Sequence, residues 1–194
     1  MHGLVLFSIQ RFVIDTYGTA AWAQLLAAAS LVPDGFEAMQ IYDDSLSERV
    51  VAAACTELGK RRNDLLEDLG TYLISHPHQR IARRLLRFSG DTFTEFLLAL
   101  DDLPDRVALA VPELRFPGLA VRRKSTSCFD LRVDPGMRGF GLVLLGTIRA
   151  MADDYGALVL SDCIEAPDGA ATLRLELLDA QFARARAFQL GART

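Results

Sequence analysis

A basic excess, a metal-ligand spacing and a membrane-length apolar run are all missing from this 194-residue chain. Its 21 Lys and Arg against 25 Asp and Glu leave a net charge of −4, which argues against a nucleic-acid binder built on a basic face. The longest apolar stretches, 20–29 and 142–148, fall short of the roughly 20 residues that a membrane helix needs. Cys55, Cys128 and Cys163 are odd in number and follow no zinc-ligand spacing. Reduced thiols are therefore expected, with neither a disulfide framework nor a zinc site.

Catalytic signatures are scarce as well. His2, His76 and His78 are the 3 histidines, and none stands near a marked nucleophile, so no Ser-His-Asp or Cys-His arrangement is expected. The glycine-rich PGMRGFG, 135–141, lacks the Lys-Ser/Thr of a phosphate loop and reads as a turn into a helix. Neighbours in Asp101-Asp102 and Asp153-Asp154 point roughly 100° apart on a helix, which suits an exposed charge and a local cap better than acid/base work. The opening MHGLVLFSIQRFV lacks the basic first segment of a secretory signal, and Arg11 and Asp15 interrupt it, so a cytoplasmic location is the expectation.

What the chain does have is apolar content, 51% of its residues, enough for one good core and a second, smaller lobe. In the first half the apolar spacing is helical: Leu4 to Val13, Ala20 to Ser30, a run after Ser45 and Glu48 in capping-box spacing, and a run capped by Asn63 or Asp64. A short basic helix with Arg80, Arg83, Arg84 and Arg87 follows. These arginines, with Arg122-Arg123-Lys124, read as a solvated face or as a dock for an acidic partner. Asp91 is placed to cap a helix carrying Phe93, Phe96, Leu97, Leu100 and Leu103 on one face. Pro104 then opens the next turn, and Leu103 before it is biased away from helix. In the second half the period changes to strands at 119–121, 128–133, 158–164 and 173–177, with a helix over 139–155 between the pairs. Helices first, then strand-strand-helix-strand-strand, is an α+β order with an antiparallel sheet.

Several pieces stand in a recognisable order: MHGLV at the start, YGTAAW at 17–22, LLEDLGTYL at 65–73, FTEFLLALDDL at 93–103, VPELRFP at 111–117, and a glycine-led helix ending in MADDYG at 151–156. Together they resemble the haem-nitric oxide/oxygen binding family, H-NOX, over all but the C-terminal end. The resemblance implies a single domain over 1–194, in which a helical lobe (about 1–60) packs on a mixed α/β lobe (about 61–194) with a four-stranded antiparallel sheet. Haem lies between the lobes in that family and senses a diatomic gas. The partners implied are signalling proteins such as histidine kinases or cyclic-dinucleotide enzymes.

The family's iron-ligating histidine follows a helix reading Phe-Leu-x-x-Leu-Asp-x-Leu/Ile, and here that position is Pro104. Its Tyr-x-Ser-x-Arg grip on the haem propionates falls on Val133, Pro135 and Met137, whose side chains neither hydrogen-bond nor pair with a carboxylate in that way. Arg138 is one residue off. Pro117 matches a proline that packs against the porphyrin. The resulting expectation is a non-enzymatic, haem-less cytosolic sensor or adaptor with no cofactor. Its interlobe cavity is either collapsed or holds another apolar small molecule between Leu4, Val5, Phe93, Phe96, Leu97, Leu100, Pro117 and Leu144. For each of these residues taken singly, ordinary core packing is the commoner role. The alternative is a haem-based NO/O2 sensor with a non-standard axial ligand from His76, His78 or Tyr72, or more remotely Cys128 or Cys163.

Overall fold

The computed structural model of the chain describes residues 2–31, 35–77, 86 and 90–179. Helices α1 Gly3–Tyr17, α2 Thr19–Ala28, α3 Ser45–Leu58 and α4 Arg62–Ser75 open it. Helix α5, Phe93–Leu98, runs through one 3-10 turn, Ala99–Asp102, into α6, Leu103–Ala110. Strands β1 Leu119–Arg123 and β2 Cys128–Val133, helix α7 Phe140–Tyr155, and strands β3 Leu158–Glu165 and β4 Ala171–Asp179 complete the α+β order. The basic stretch with Arg80, Arg83, Arg84 and Arg87 lies outside the described residues.

Local chemistry sets the ends of these elements, and in three places it corrects the expected caps. Thr92, not Asp91, caps α5: its hydroxyl accepts the Glu95 amide, and the Glu95 carboxylate accepts the N–H groups of both Asp91 and Thr92. One acidic side chain thus satisfies two free donors at the helix start. Helix α4 starts at Arg62, ahead of Asn63 and Asp64, because Arg61 engages the Asp64 carboxylate with two nitrogens at 2.7 and 2.9 Å. Ser45 lies inside α3, bonded to Asp43, and Glu48 is drawn off to Arg62 at 2.9 Å, so no capping box forms there.

The sheet is fully antiparallel in the order β1-β2-β4-β3. The two sequential hairpins meet through β2 and β4. Alternate residues point inward, and Phe129, Leu131, Val133, Leu173, Leu175 and Leu177 are all buried, as the period of two requires. Against that face lies α7 with Leu144, Leu145, Ile148, Met151 and Tyr155. A second core belongs to the helices: Leu6, Ile9, Phe12 and Val13 of α1 pack with Trp22, Leu25, Val50, Val51 and Ala54. Helix α4 serves both, giving Leu65, Leu66, Leu69 and Tyr72 to the helical core and Ile74 to the sheet core.

The two cores meet where α4 and α7 touch backbone to backbone. A Cβ on Gly70 would stand 1.9 Å from the Val143 carbonyl oxygen, and one on Gly146 would stand 2.0 Å from that of Glu67. Only glycine permits so close an approach. Reciprocal bonds reinforce it: Thr71 donates to the Gly146 carbonyl at 3.4 Å and Thr147 donates to that of Gly70 at 3.3 Å. Arg149 and Glu67 form an ion pair beside them. Replacing Gly146 with Ala forces the helices apart, and overpacking of this kind costs about 1–3 kcal/mol. Urea unfolding of Gly146→Ala is expected to show a lower midpoint with an unchanged slope. An unchanged midpoint would mean that the seam is not tight.

Candidate functional site

The predicted pocket wall divides between the two cores. Phe93, Phe96, Leu97 and Leu100 are all 0% exposed and, with Leu144, belong to the sheet-lobe core. The rings of Phe93 and Phe96 stack at 5.6 Å, and Tyr155 closes on them at 6.0 and 5.8 Å while its hydroxyl donates to the Gly90 carbonyl. Val5 is half-buried and packs on the helical core, and Leu4 beside it is half-buried too. Pro117 is buried at the entry to β1, next to Phe116, whose ring meets Phe140 of α7 edge-on at 4.9 Å. The face expected on one helix is carried by α5, the 3-10 turn and the start of α6, so its residues still converge although the helix type changes.

Pro104 is half-buried in the first turn of α6, where its fixed φ suits the helix. Leu103 before it is helical, with φ −62° and ψ −41°. The expected bias against helix is overridden because the 3-10 turn feeds straight into α6 and Leu103 is anchored in the core at 8% exposure. Of the three positions matched to the propionate grip, Val133 faces the sheet core at 3% exposure, Pro135 is exposed and Met137 is half-buried. Arg138 is exposed. At the glycine-rich turn the Gly139 amide donates to the Glu165 carboxylate, so an internal acid takes that anion-seeking group.

Tyr72 and His76 share one carboxylate. The Tyr72 hydroxyl donates to Asp15 Oδ2 at 2.6 Å, and His76 Nδ1 lies 3.7 Å from the same oxygen. Their rings stand 4.8 Å apart, and Arg11 reaches Asp15 at 3.2 Å. This cluster ties α1 to the end of α4. His78 lies outside the described residues. Among the described residues no three His, Cys, Asp or Glu side chains gather as a metal site.

One polar residue escapes sequence reasoning. His2 caps α1: its Nδ1 accepts the Leu4 amide at 3.2 Å, and its side chain is 1% exposed. The other ring nitrogen, Nε2, is buried without a hydrogen-bond partner, and the nearest carboxylate, Glu113 in the α6–β1 loop, is 4.0 Å away. Histidine is not among the favoured caps, and Glu113 is distant in sequence, so no local signal joins them. The basic trio at the end of β1 is spoken for locally in two of its members: Arg123 donates to the carbonyls of Ser125 and Thr126, and Lys124, just past the strand, pairs with Asp130 at 3.1 Å.

A family model described as Haem-NO-binding matches residues 2–160. The soluble guanylate cyclase gcy-31 of Caenorhabditis elegans is 24% identical over 154 residues, covering 79% of this chain and 22% of that protein. The chain therefore spans less than a quarter of that relative's length. Among solved structures, an unliganded Fe(II) H-NOX protein from K. algicida superposes with a TM-score of 0.79 at 14% identity, covering 94% of this chain and 99% of that one. An H-NOX protein from S. oneidensis gives 0.77 at 17% identity, with coverage of 94% and 99%. At these identities the structures establish the fold. No helix among the described residues is long and apolar enough to cross a membrane.

Cys163, a remote candidate ligand, sits on β3 with its thiol pushed up to about 11, first by burial and then by the nearby acids Glu165, Asp162 and Glu67. Burial likewise raises the Cys55 thiol. A raised thiol pKa disfavours the thiolate, which is the form that alkylates or binds metal. Iodoacetamide labelling of Cys163, followed by peptide mass spectrometry, is expected to keep rising about tenfold per pH unit beyond the point where ordinary thiols level off. A plateau by pH 9 would contradict the burial.

Proposed function

This chain belongs to the haem-NO-binding family, and from that premise we propose that it is an H-NOX-type sensor or adaptor domain of signal transduction that works without haem. Pro104 carries the reading. At the place where the family sets its histidine, the chain has a ring with neither lone pair nor proton to offer, held in the first turn of α6. The propionate positions supply no replacement. Val133 is turned into the sheet core, and the side chains of Pro135 and Met137 have no charge or N–H to present to two buried carboxylates. The residues matched to the haem contacts therefore do not fit the group, and no step of the function is routed through it.

The same reading gives the frame its remaining use. With the Phe93, Phe96, Leu97 and Leu100 face packed on Tyr155, the domain transmits lobe position, either with its interlobe space closed or around an apolar small molecule. Catalysis is not part of the proposal. A soluble guanylate cyclase, a histidine kinase or a cyclic-dinucleotide enzyme is the kind of signalling effector that such a domain would serve, in the cytoplasm.

Titration of the purified protein with haem, followed by absorbance, tests this. The expected result is weak, non-stoichiometric uptake without the sharp band of a ligated iron. A one-to-one complex with that band would overturn the proposal, and its loss in Tyr72→Ala, His76→Ala or His78→Ala would assign the ligand.

A further inference from the structure

We propose that His2 and Glu113 form a latch between the two lobes, with the His2 Nε2–H as donor and the Glu113 carboxylate as acceptor. The inference rests on reading the domain as one that transmits lobe position, and it names the contact that reports that position.

The tautomer follows from the helix cap. His2 Nδ1 accepts the Leu4 amide, so its lone pair is used and the proton of the neutral ring lies on Nε2. That nitrogen is therefore a donor. It does not suit a metal, because ligation at Nε2 needs a lone pair there and would turn an Nδ1–H against the Leu4 N–H. The donor is buried, with a side chain 1% exposed and no partner at Nε2. Leaving such a group unpaired is unfavourable, so a partner that reaches it stabilises the fold.

Glu113 is the acceptor within reach. Its carboxylate is 4.0 Å from Nε2 and its side chain is 68% exposed, so it is free to rotate. A shift of about 1 Å brings the pair to the usual length of a charge-assisted bond.

Both partners stand on rigid supports in different lobes, which makes the pair sensitive to the lobes and not merely to side-chain motion. On the helical side, the Gly3 amide donates to the Gln40 carbonyl at 2.7 Å, and His2 pairs with Ile41 in an isolated bridge. A Cβ on Gly3 would lie 2.1 Å from the Glu37 carbonyl oxygen, so the chain there has no slack. On the other side, the Leu114 amide closes a turn on the Val111 carbonyl at 3.0 Å, with Pro112 inside it, and the Val111 amide holds Val107 of α6 at 2.8 Å. Glu113 projects from that turn. Phe116, three residues on, is pinned against Phe140. The helix that begins with Pro104 thus leads through one turn to the acid that faces His2. Anything that enters between His2 and Glu113 keeps the pair from closing.

Two readouts test the latch on the full chain with no ligand or haem added, so their outcome is separate from that of the sensor proposal. Nitrogen-15 correlation of the His2 ring is expected to show the Nε2–H tautomer at neutral pH. Hydrogen exchange at the Leu4 and Leu114 amides is expected to rise about fivefold in Glu113→Ala, in line with the loss of one hydrogen bond, while Thr147 in the α4–α7 seam keeps its protection. Glu113→Gln retains an acceptor and is expected to lie closer to wild type than to the alanine variant. An Nδ1–H tautomer, unchanged exchange in Glu113→Ala, or a glutamine variant that matches the alanine one would each overturn the latch.

Discussion

Backbone contact between α4 and α7 is the constraint on which the rest of the structure depends. Gly70 and Gly146 leave no room for a Cβ at the crossing. The helical core and the sheet core therefore meet at a fixed distance on that side, and Thr71, Thr147, Glu67 and Arg149 fasten it with paired bonds. At the start of α1 the helical side also faces the α6–β1 loop, where His2 and Glu113 stand 4.0 Å apart.

Much of this arrangement is legible in the sequence because periodicity reports burial directly. The alternation in Phe129, Leu131 and Val133 and in Leu173, Leu175 and Leu177 gives both the strands and the face they bury. The order of elements gives the α+β class. Caps were harder to read. Asn63, Asp64 and Asp91 are all good cap residues, but Arg61 holds Asp64, and the Thr92/Glu95 pair satisfies two donors where Asp91 satisfies none. Competition among neighbours decides such ends, and composition does not rank competitors. Division of the first half between two cores was also hidden, since α4 is apolar on two sides and its last residue to count, Ile74, belongs to the sheet lobe.

Pro104 and His2 stand at opposite limits of legibility. The proline is read from its place in a run of matching residues, and the structure adds why the fold tolerates it: its fixed φ suits the first turn of α6. His2 has no such signal, since its importance comes from a cap, a bridge to Ile41 and a distant acid that only the folded chain assembles. Taken together, the two residues mark a frame whose fold is that of the family, with a proline opening α6 and a buried histidine 4.0 Å from a carboxylate.

The most direct measurement is the haem content of the protein as isolated from haem-replete cells, determined as the pyridine haemochromogen and divided by protein concentration. A domain that has lost its axial donor and its propionate grip carries far less than one haem per chain. One haem per chain, retained through gel filtration, would contradict the haem-free reading at its root.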